Sequence, residues 1–158
     1  RRTLYLEQLH TFGKPGRDPR ERVITVSWVA LVRPDLAPTV HAGTDAADAR
    51  WFSVGSELDQ LDLAFDHAEI AKTALERIRG KVDYSSIAFE LVSPTFTIAD
   101  LRATHEAVKG TTYDPGNFRR RFKRMQTDGV IAVAPGRRHT STKPATVYRF
   151  IGGQDDEQ

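Results

Sequence analysis

Hydrophobic and polar positions alternate with a period of two near the start of the chain and with a helical period of about 3.6 toward its end. Leu4-Tyr5-Leu6-Glu7-Gln8-Leu9 reads as a strand, and Thr11 to Arg20, dense in glycine, proline and charge, as a loop. Val23 to Val32 is a nearly continuous apolar run rich in β-branched residues, which predicts a buried central strand. Arg33 to Asp48 is polar and reads as a surface connection, and Arg50-Trp51-Phe52-Ser53-Val54 as a short aromatic strand. Asp66, with Glu69 three residues on, forms an aspartate variant of the capping box. The helix it opens has a packed stripe of Ile70, Ala71, Ala74, Leu75 and Ile78, and Gly80 closes it.

A new amphipathic pattern begins after Lys81-Val82-Asp83. Tyr84, Ile87, Ala88 and Leu91 sit at i, i+3, i+4 and i+7, the mark of a helix of about two turns. Thr97 caps a second helix with Leu101, His105 and Val108 on its inner side and Gly110 at its end. Asp114-Pro115 opens a third: aspartate caps, and proline stands at the first helical position, where its missing N–H costs nothing. Phe118, Phe122 and Met125 form its packed stripe, and Gly129 closes it. Val130 to Val133 reads as a strand, Pro135 to Pro144 as a basic loop, and Ala145 to Phe150 as a second strand. Three helices followed by two strands around a basic loop make a winged helix-turn-helix. The chain is therefore expected to be an α+β protein of two domains, residues 1–81 and 82–151, with a frayed acidic tail at 152–158.

Composition narrows the function. A chain of 158 residues with 39% hydrophobic content and no cysteine is a globular protein without disulfides or thiolate metal sites. No apolar run approaches the roughly 20 residues that span a bilayer, and no signal peptide opens the chain, so a cytoplasmic location without membrane partners is expected. The net charge of +2 hides a division. Lys109 to Phe150 holds ten Lys/Arg against two acids, net +8, so the remaining residues carry −6. Basic character is concentrated where a polyanion would be met. The chain opens without methionine and enters a strand almost at once, which reads as an N-terminally incomplete chain.

The third helix carries the most chemistry. Arg119, Arg120, Lys123 and Arg124 spread opposite the apolar stripe, and Asn117 sits near the helix start, where recognition helices present base-reading side chains. Arg121 lies closer to the buried edge, where pairing with an acid is the alternative. In the wing, Arg137, Arg138 and Lys143 are candidates for phosphates or the minor groove, and Thr140, with Ser141 and Thr142, for backbone hydrogen bonds. The competing reading is a solvated basic surface.

Several segments resemble a known family. Leu4 to Leu9 with Phe12-Gly13, Gly16-Arg17-Asp18-Pro19-Arg20, the long strand, Arg50-Trp51-Phe52 and Leu63-Ala64-Phe65-Asp66-His67 look like the second half of an ADP-ribose-type Nudix domain. Phe96-Thr97-Ile98-Ala99-Asp100-Leu101, Asn117-Phe118-Arg119-Arg120 and Lys143-Pro144-Ala145 near Tyr148-Arg149-Phe150 resemble the winged helix fused to it in Nudix-related transcriptional regulators of NAD metabolism. The resemblance implies a partial Nudix-like sandwich domain. It also implies a bacterial homodimeric repressor that binds an inverted-repeat operator near NAD-biosynthesis genes and responds to ADP-ribose as effector, with no cofactor required. The Nudix box, whose glutamates hold Mg²⁺ in active relatives, is absent from this chain, so no catalytic or metal residue is assigned and no enzyme is expected.

For the nucleotide, Arg17, Arg20 and Arg22 suit a pyrophosphate, since guanidinium groups bind it bidentately; mutual satisfaction of Arg17 and Asp18 in a turn is the plainer reading. The resemblance adds Phe65 and His67 as pocket residues, which otherwise read as neighbours of a helix cap. The five histidines have no metal-ligand spacing, and no GxSxG occurs. The rival functions are an active Nudix ADP-ribose pyrophosphatase with a basic appendage, and a winged helix used for protein interaction.

Overall fold

The computed structural model describes residues 5–36, 50–54, 57–139 and 143–152. The chain divides into two compact units, Arg1–Lys81 and Val82–Gln158. Leu4, much of the polar connection, Thr140, Ser141, Thr142 and nearly all of the acidic tail lie outside the described residues.

Unit 1 is built on an antiparallel pair, β1 (Tyr5–Phe12) and β2 (Thr25–Leu31), with Tyr5 opposite Leu31 and Phe12 opposite Thr25. The register shifts between Gln8 and His10, so Leu9 is the extra residue of a bulge. Leu9, Phe12 and Leu31 are buried, whereas Leu6, Ile24, Val26 and Trp28 are exposed, Trp28 at 57%. The expectation of a buried central strand is thus corrected. β2 has one strand neighbour among the described residues, and side chains alternate across a strand, so half of its apolar run stays uncovered.

The aromatic stretch 50–54 is irregular rather than a strand. Helix α1 (His67–Lys81) follows, and its stripe is half-buried, with no residue fully covered. It runs through Gly80, which does not end it. Its opening also differs from expectation: the Asp66 carboxylate is held by Arg17, not used for a capping box, and the Asp66 carbonyl accepts from the Glu69 and Ile70 N–H groups at 2.9 and 3.1 Å. Arg77 and Lys81 reach Glu7 of β1 at 2.9 and 2.7 Å and fix the helix to the ribbon.

Unit 2 runs α2 (Ile87–Leu91), α3 (Ile98–Lys109), α4 (Pro115–Thr127), β3 (Ile131–Arg138) and β4 (Ala145–Phe150). α2 is shorter than its periodicity suggests: Tyr84 lies outside it and is 77% exposed. The capping box of α3 is complete, with Thr97 Oγ1 accepting from the Asp100 N–H at 3.2 Å and Asp100 Oδ2 from the Thr97 N–H at 2.8 Å. Gly110 ends α3 in the left-handed region at φ 69°, as a helix stop requires. Asp114 caps α4 by accepting from the Asn117 N–H at 2.7 Å, with Pro115 in the first turn.

β3 and β4 pair antiparallel, Ile131 opposite Phe150 and Arg138 opposite Ala145, and Phe96 adds a bridge to Tyr148 through bonds of 2.9 and 2.7 Å. The strand continues through Pro135-Gly136-Arg137-Arg138, which the sequence assigned to the loop. A register shift between Val133 and Arg137, with Gly136 at φ 92°, lets the chain carry proline and still resume pairing. Ile87, Phe96, Leu101, Phe118, Phe122 and Ile131 are buried in the core among these elements. Each phenylalanine of α4 contributes about 1.5–3 kcal/mol by leaving water, which decides broadly which side of α4 turns inward.

Candidate functional site

Phe118 and Phe122 anchor the inner side of α4, with the Phe122 ring edge-on to Tyr148 at 4.7 Å and the Phe118 ring edge-on to His105 at 5.4 Å. The helical period then places Asn117, Arg119, Arg120, Lys123 and Arg124 in solvent, and all five are exposed. Arg119, Lys123 and Arg124 make no ion pair among the described residues, whereas Arg120 donates to the Asn117 side-chain oxygen. A row of cations held at the spacing of one helix face, on a rigid apolar base, can neutralise phosphates and offer donors to guanine edges.

Arg121 takes the other course. It donates to Asp83 Oδ1 at 2.8 Å and to the Asp83 carbonyl. Asp83 also accepts from Lys109 Nζ at 2.7 Å and Tyr113 Oη at 2.8 Å. Burial alone would raise this carboxyl, but the donors Lys109, Arg121 and Tyr113 together hold it well below the usual carboxylate range. Burial also pushes the His105 imidazole down to about 4, aided by Arg121 and opposed by Asp83. His105 is 1% exposed and neither ring nitrogen has a hydrogen-bond partner among the described residues.

The wing is only partly as expected. Arg137 and Lys143 are exposed. Arg138 departs from the expectation of a cation turned to DNA: its guanidinium donates to Asp100 of α3 and to the Thr95 carbonyl at 2.9 Å, tying β3 to the helix cap. Thr140 lies outside the described residues.

In unit 1 the nucleotide candidates divide into two groups. Arg20, Phe65 and His67 come together: the Arg20 guanidinium lies 4.8 Å from the Phe65 ring centroid, and the Phe65 and His67 rings meet edge to face at 6.0 Å. Phe65 holds φ 55°, a conformation that side chains with a Cβ rarely adopt. Arg20 is itself paired with Asp18 at 2.7 Å, an interaction that holds the Asp18 carboxyl down at about 2. Arg17 and Arg22 are committed elsewhere. Arg17 donates to Asp66 twice and to Thr25 Oγ1 at 2.6 Å, and Arg22 to the Gly13 carbonyl at 2.5 Å, so these two are better described as building the loop than as awaiting a pyrophosphate. A cavity of about 400 Å³ opens beside them, lined among others by His10, Gly13, Lys14, Asp66 and Glu69. Asp83, Lys14, His10 and Glu69 are residues beside these groups that the sequence reading did not single out as site residues. For Asp83 the one available signal was Arg121's need for an acid.

No helix among the described residues is long and apolar enough to cross a membrane. Residues 88–150 match the NrtR DNA-binding winged helix domain. The chain is 31% identical over 146 residues to the ADPR responsive transcriptional repressor NtrR of Acinetobacter baylyi, a match that covers 92% of this chain and 56% of that protein. Its fold is similar to that of Shewanella oneidensis NrtR complexed with a 27mer DNA, with a TM-score of 0.76 and 28% identity, covering 93% of this chain and 64% of that one. A MutT/nudix family protein from Enterococcus faecalis is similar at a TM-score of 0.64 and 28% identity, covering 92% of this chain and 61% of that one. The chain thus spans between half and two thirds of the length of these relatives. Residues 88–150 thus form a winged helix of the NrtR DNA-binding type, and the chain as a whole is similar in sequence and fold to NrtR regulators.

Proposed function

We propose that the protein of which this chain is part represses transcription of NAD-metabolism genes, binding an inverted-repeat operator as a homodimer and responding to ADP-ribose or a related nucleotide. The observation that carries the reading is the exposed row Arg119, Arg120, Lys123 and Arg124 on a helix fixed from behind by Phe118 and Phe122. Two such helices in a dimer would enter major-groove half-sites about 10 base pairs, or a multiple, apart. The similarity to an ADPR responsive repressor and to a DNA complex supports both partners. In unit 1, the grouping of Arg20, Phe65 and His67 supports a nucleotide there, with the aromatic rings for the base and the cation for the phosphate. An effector shifts the repressor only through a difference in its affinity for two dimer geometries, one matching the half-site spacing and one not.

We read the protein as a sensor, in line with the repressor relative, and expect it to act in the cytoplasm. The decisive measurement is an electrophoretic shift on palindromic duplexes chosen by in vitro selection, with and without ADP-ribose. Selective binding that ADP-ribose alters supports the reading. Absence of any sequence preference, with release of ribose 5-phosphate from ADP-ribose in the presence of Mg²⁺, would replace it with the hydrolase.

A further inference from the structure

Asp83 stands where three elements of unit 2 converge. Its carboxylate receives Lys109 from the end of α3 at 2.7 Å, Tyr113 from the turn before α4 at 2.8 Å and Arg121 from α4 at 2.8 Å, with the buried His105 Nδ1 at 3.7 Å. Arg121 adds a bond to the Asp83 main-chain carbonyl, so its guanidinium grips both the side chain and the backbone of one residue. Arg121 sits on the flank between the buried stripe of α4 and its exposed cationic row, with Phe122 buried on one side of it and Arg120 exposed on the other. The apolar stripe tolerates sliding, because its attraction has no direction. A bidentate guanidinium contact does not, because its donors have fixed geometry.

We infer that Asp83 is the positioning residue of the recognition helix, fixing through Arg121 the rotation and register at which α4 presents Asn117, Arg119, Arg120, Lys123 and Arg124. The inference rests on the DNA-binding reading above and deepens it. Base reading needs side chains held to within about 0.5 Å, whereas phosphate attraction tolerates looser placement. Loss of the Asp83 contact should therefore remove sequence selectivity while sparing general affinity for DNA.

The test compares the full chain with Asp83→Asn, which keeps the shape but removes the charge and turns an amide donor toward three donors. The two readouts are affinity for the selected palindrome and affinity for a random duplex of equal length, at fixed salt and well below the melting temperature of each variant. Asp83→Asn should lower the ratio of the two affinities about tenfold, with random-duplex affinity and its salt slope unchanged within about twofold. Arg121→Gln should do the same, and the double variant should be no worse than Asp83→Asn alone, in which the Arg121 contact is already lost. An unchanged ratio in a folded Asp83→Asn protein overturns the assignment while leaving the DNA reading intact. A wild-type chain that shows no preference overturns the DNA reading itself. Should Asp83→Asn fail to fold by circular dichroism, Arg121→Lys carries the same comparison, since it keeps the charge and loses the fork. Selectivity retained in Arg121→Lys is again the overturning result.

Discussion

Arg17 and Asp66, 49 residues apart in sequence, meet side on, with Nε to Oδ2 and Nη2 to Oδ1 both at 2.7 Å and their side chains 6% and 15% exposed. The pair joins the glycine- and proline-rich loop after β1 to the first residues before α1, and Thr25 Oγ1 at the start of β2 completes it.

Replacing Arg17 should therefore loosen unit 1. Arg17→Met should lower its melting temperature more than Arg17→Lys, because lysine keeps the charge and loses the fork. Arg17 holds the Asp66 carboxyl below its ordinary value, so the pair's contribution is present above the unfolded carboxyl pKa of about 4 and is lost as pH falls through the lower folded value. Thermal melts between pH 7 and pH 2 check this: Asp66→Asn should flatten the acid limb, and an unaltered limb would contradict the pairing.

The salt dependence of DNA binding should separate side chains that the sequence placed together. Lys123→Ala should reduce the slope of log affinity against log salt by about 0.9, the contribution of one phosphate contact. Arg119→Ala, if arginine reads a base, should cost about 1–3 kcal/mol and relax preference at one operator position. Arg138→Ala should leave the slope unchanged and lower thermal stability, since its guanidinium serves Asp100 and Thr95. A drop of one slope unit in Arg138→Ala would return it to the DNA surface.

Thr97→Ala removes one half of the reciprocal cap of α3 and should cost about 1 kcal/mol in denaturant titrations. Thr97→Ser keeps the acceptor and should recover most of it. Equal losses in the two variants would mean that the methyl group, buried beside Phe96, matters more than the hydroxyl.

His105 should make unit 2 sensitive to mild acid. Its folded pKa is about 4, below the ordinary 6.5, so the unfolded chain takes up the proton first. Stability is then full above about pH 6.5 and falls as pH drops toward 4, by about 3 kcal/mol at most. The charges near it are Asp83, Lys109 and Arg121, and only Asp83 favours the protonated ring. His105→Phe should abolish this dependence in melts followed at pH 7, 6, 5 and 4.

The winged helix was legible because its signals are local. Thr97 and Asp100 sit three residues apart, Asp114-Pro115 begins a helix by geometry that four residues determine, and Phe118, Phe122 and Met125 repeat at the helical period. What failed depended on residues distant in sequence. Asp66 had a good local partner in Glu69 and took Arg17 instead, because a bidentate ion pair outcompetes a single backbone contact. Pro135-Gly136 reads as a loop in isolation, yet a bulge lets the strand pass through it to place Arg138 on Asp100. The apolar run of β2 correctly predicted a strand, but periodicity does not say how many layers will cover it. Of the nucleotide candidates, Arg20, Phe65 and His67 were brought together, whereas the partners of Arg17 and Arg22 were invisible without the fold.

The uncovered side of β2 has an optical consequence. Both tryptophans of the chain, Trp28 and Trp51, lie in unit 1 with more than half of their surface in water, and the winged helix has none. Indole emission from this chain should resemble that of the free fluorophore and be readily quenched by iodide. A shift to the blue would report that something had come to rest on that ribbon. Because unit 2 carries no indole, such a shift reports on unit 1 directly.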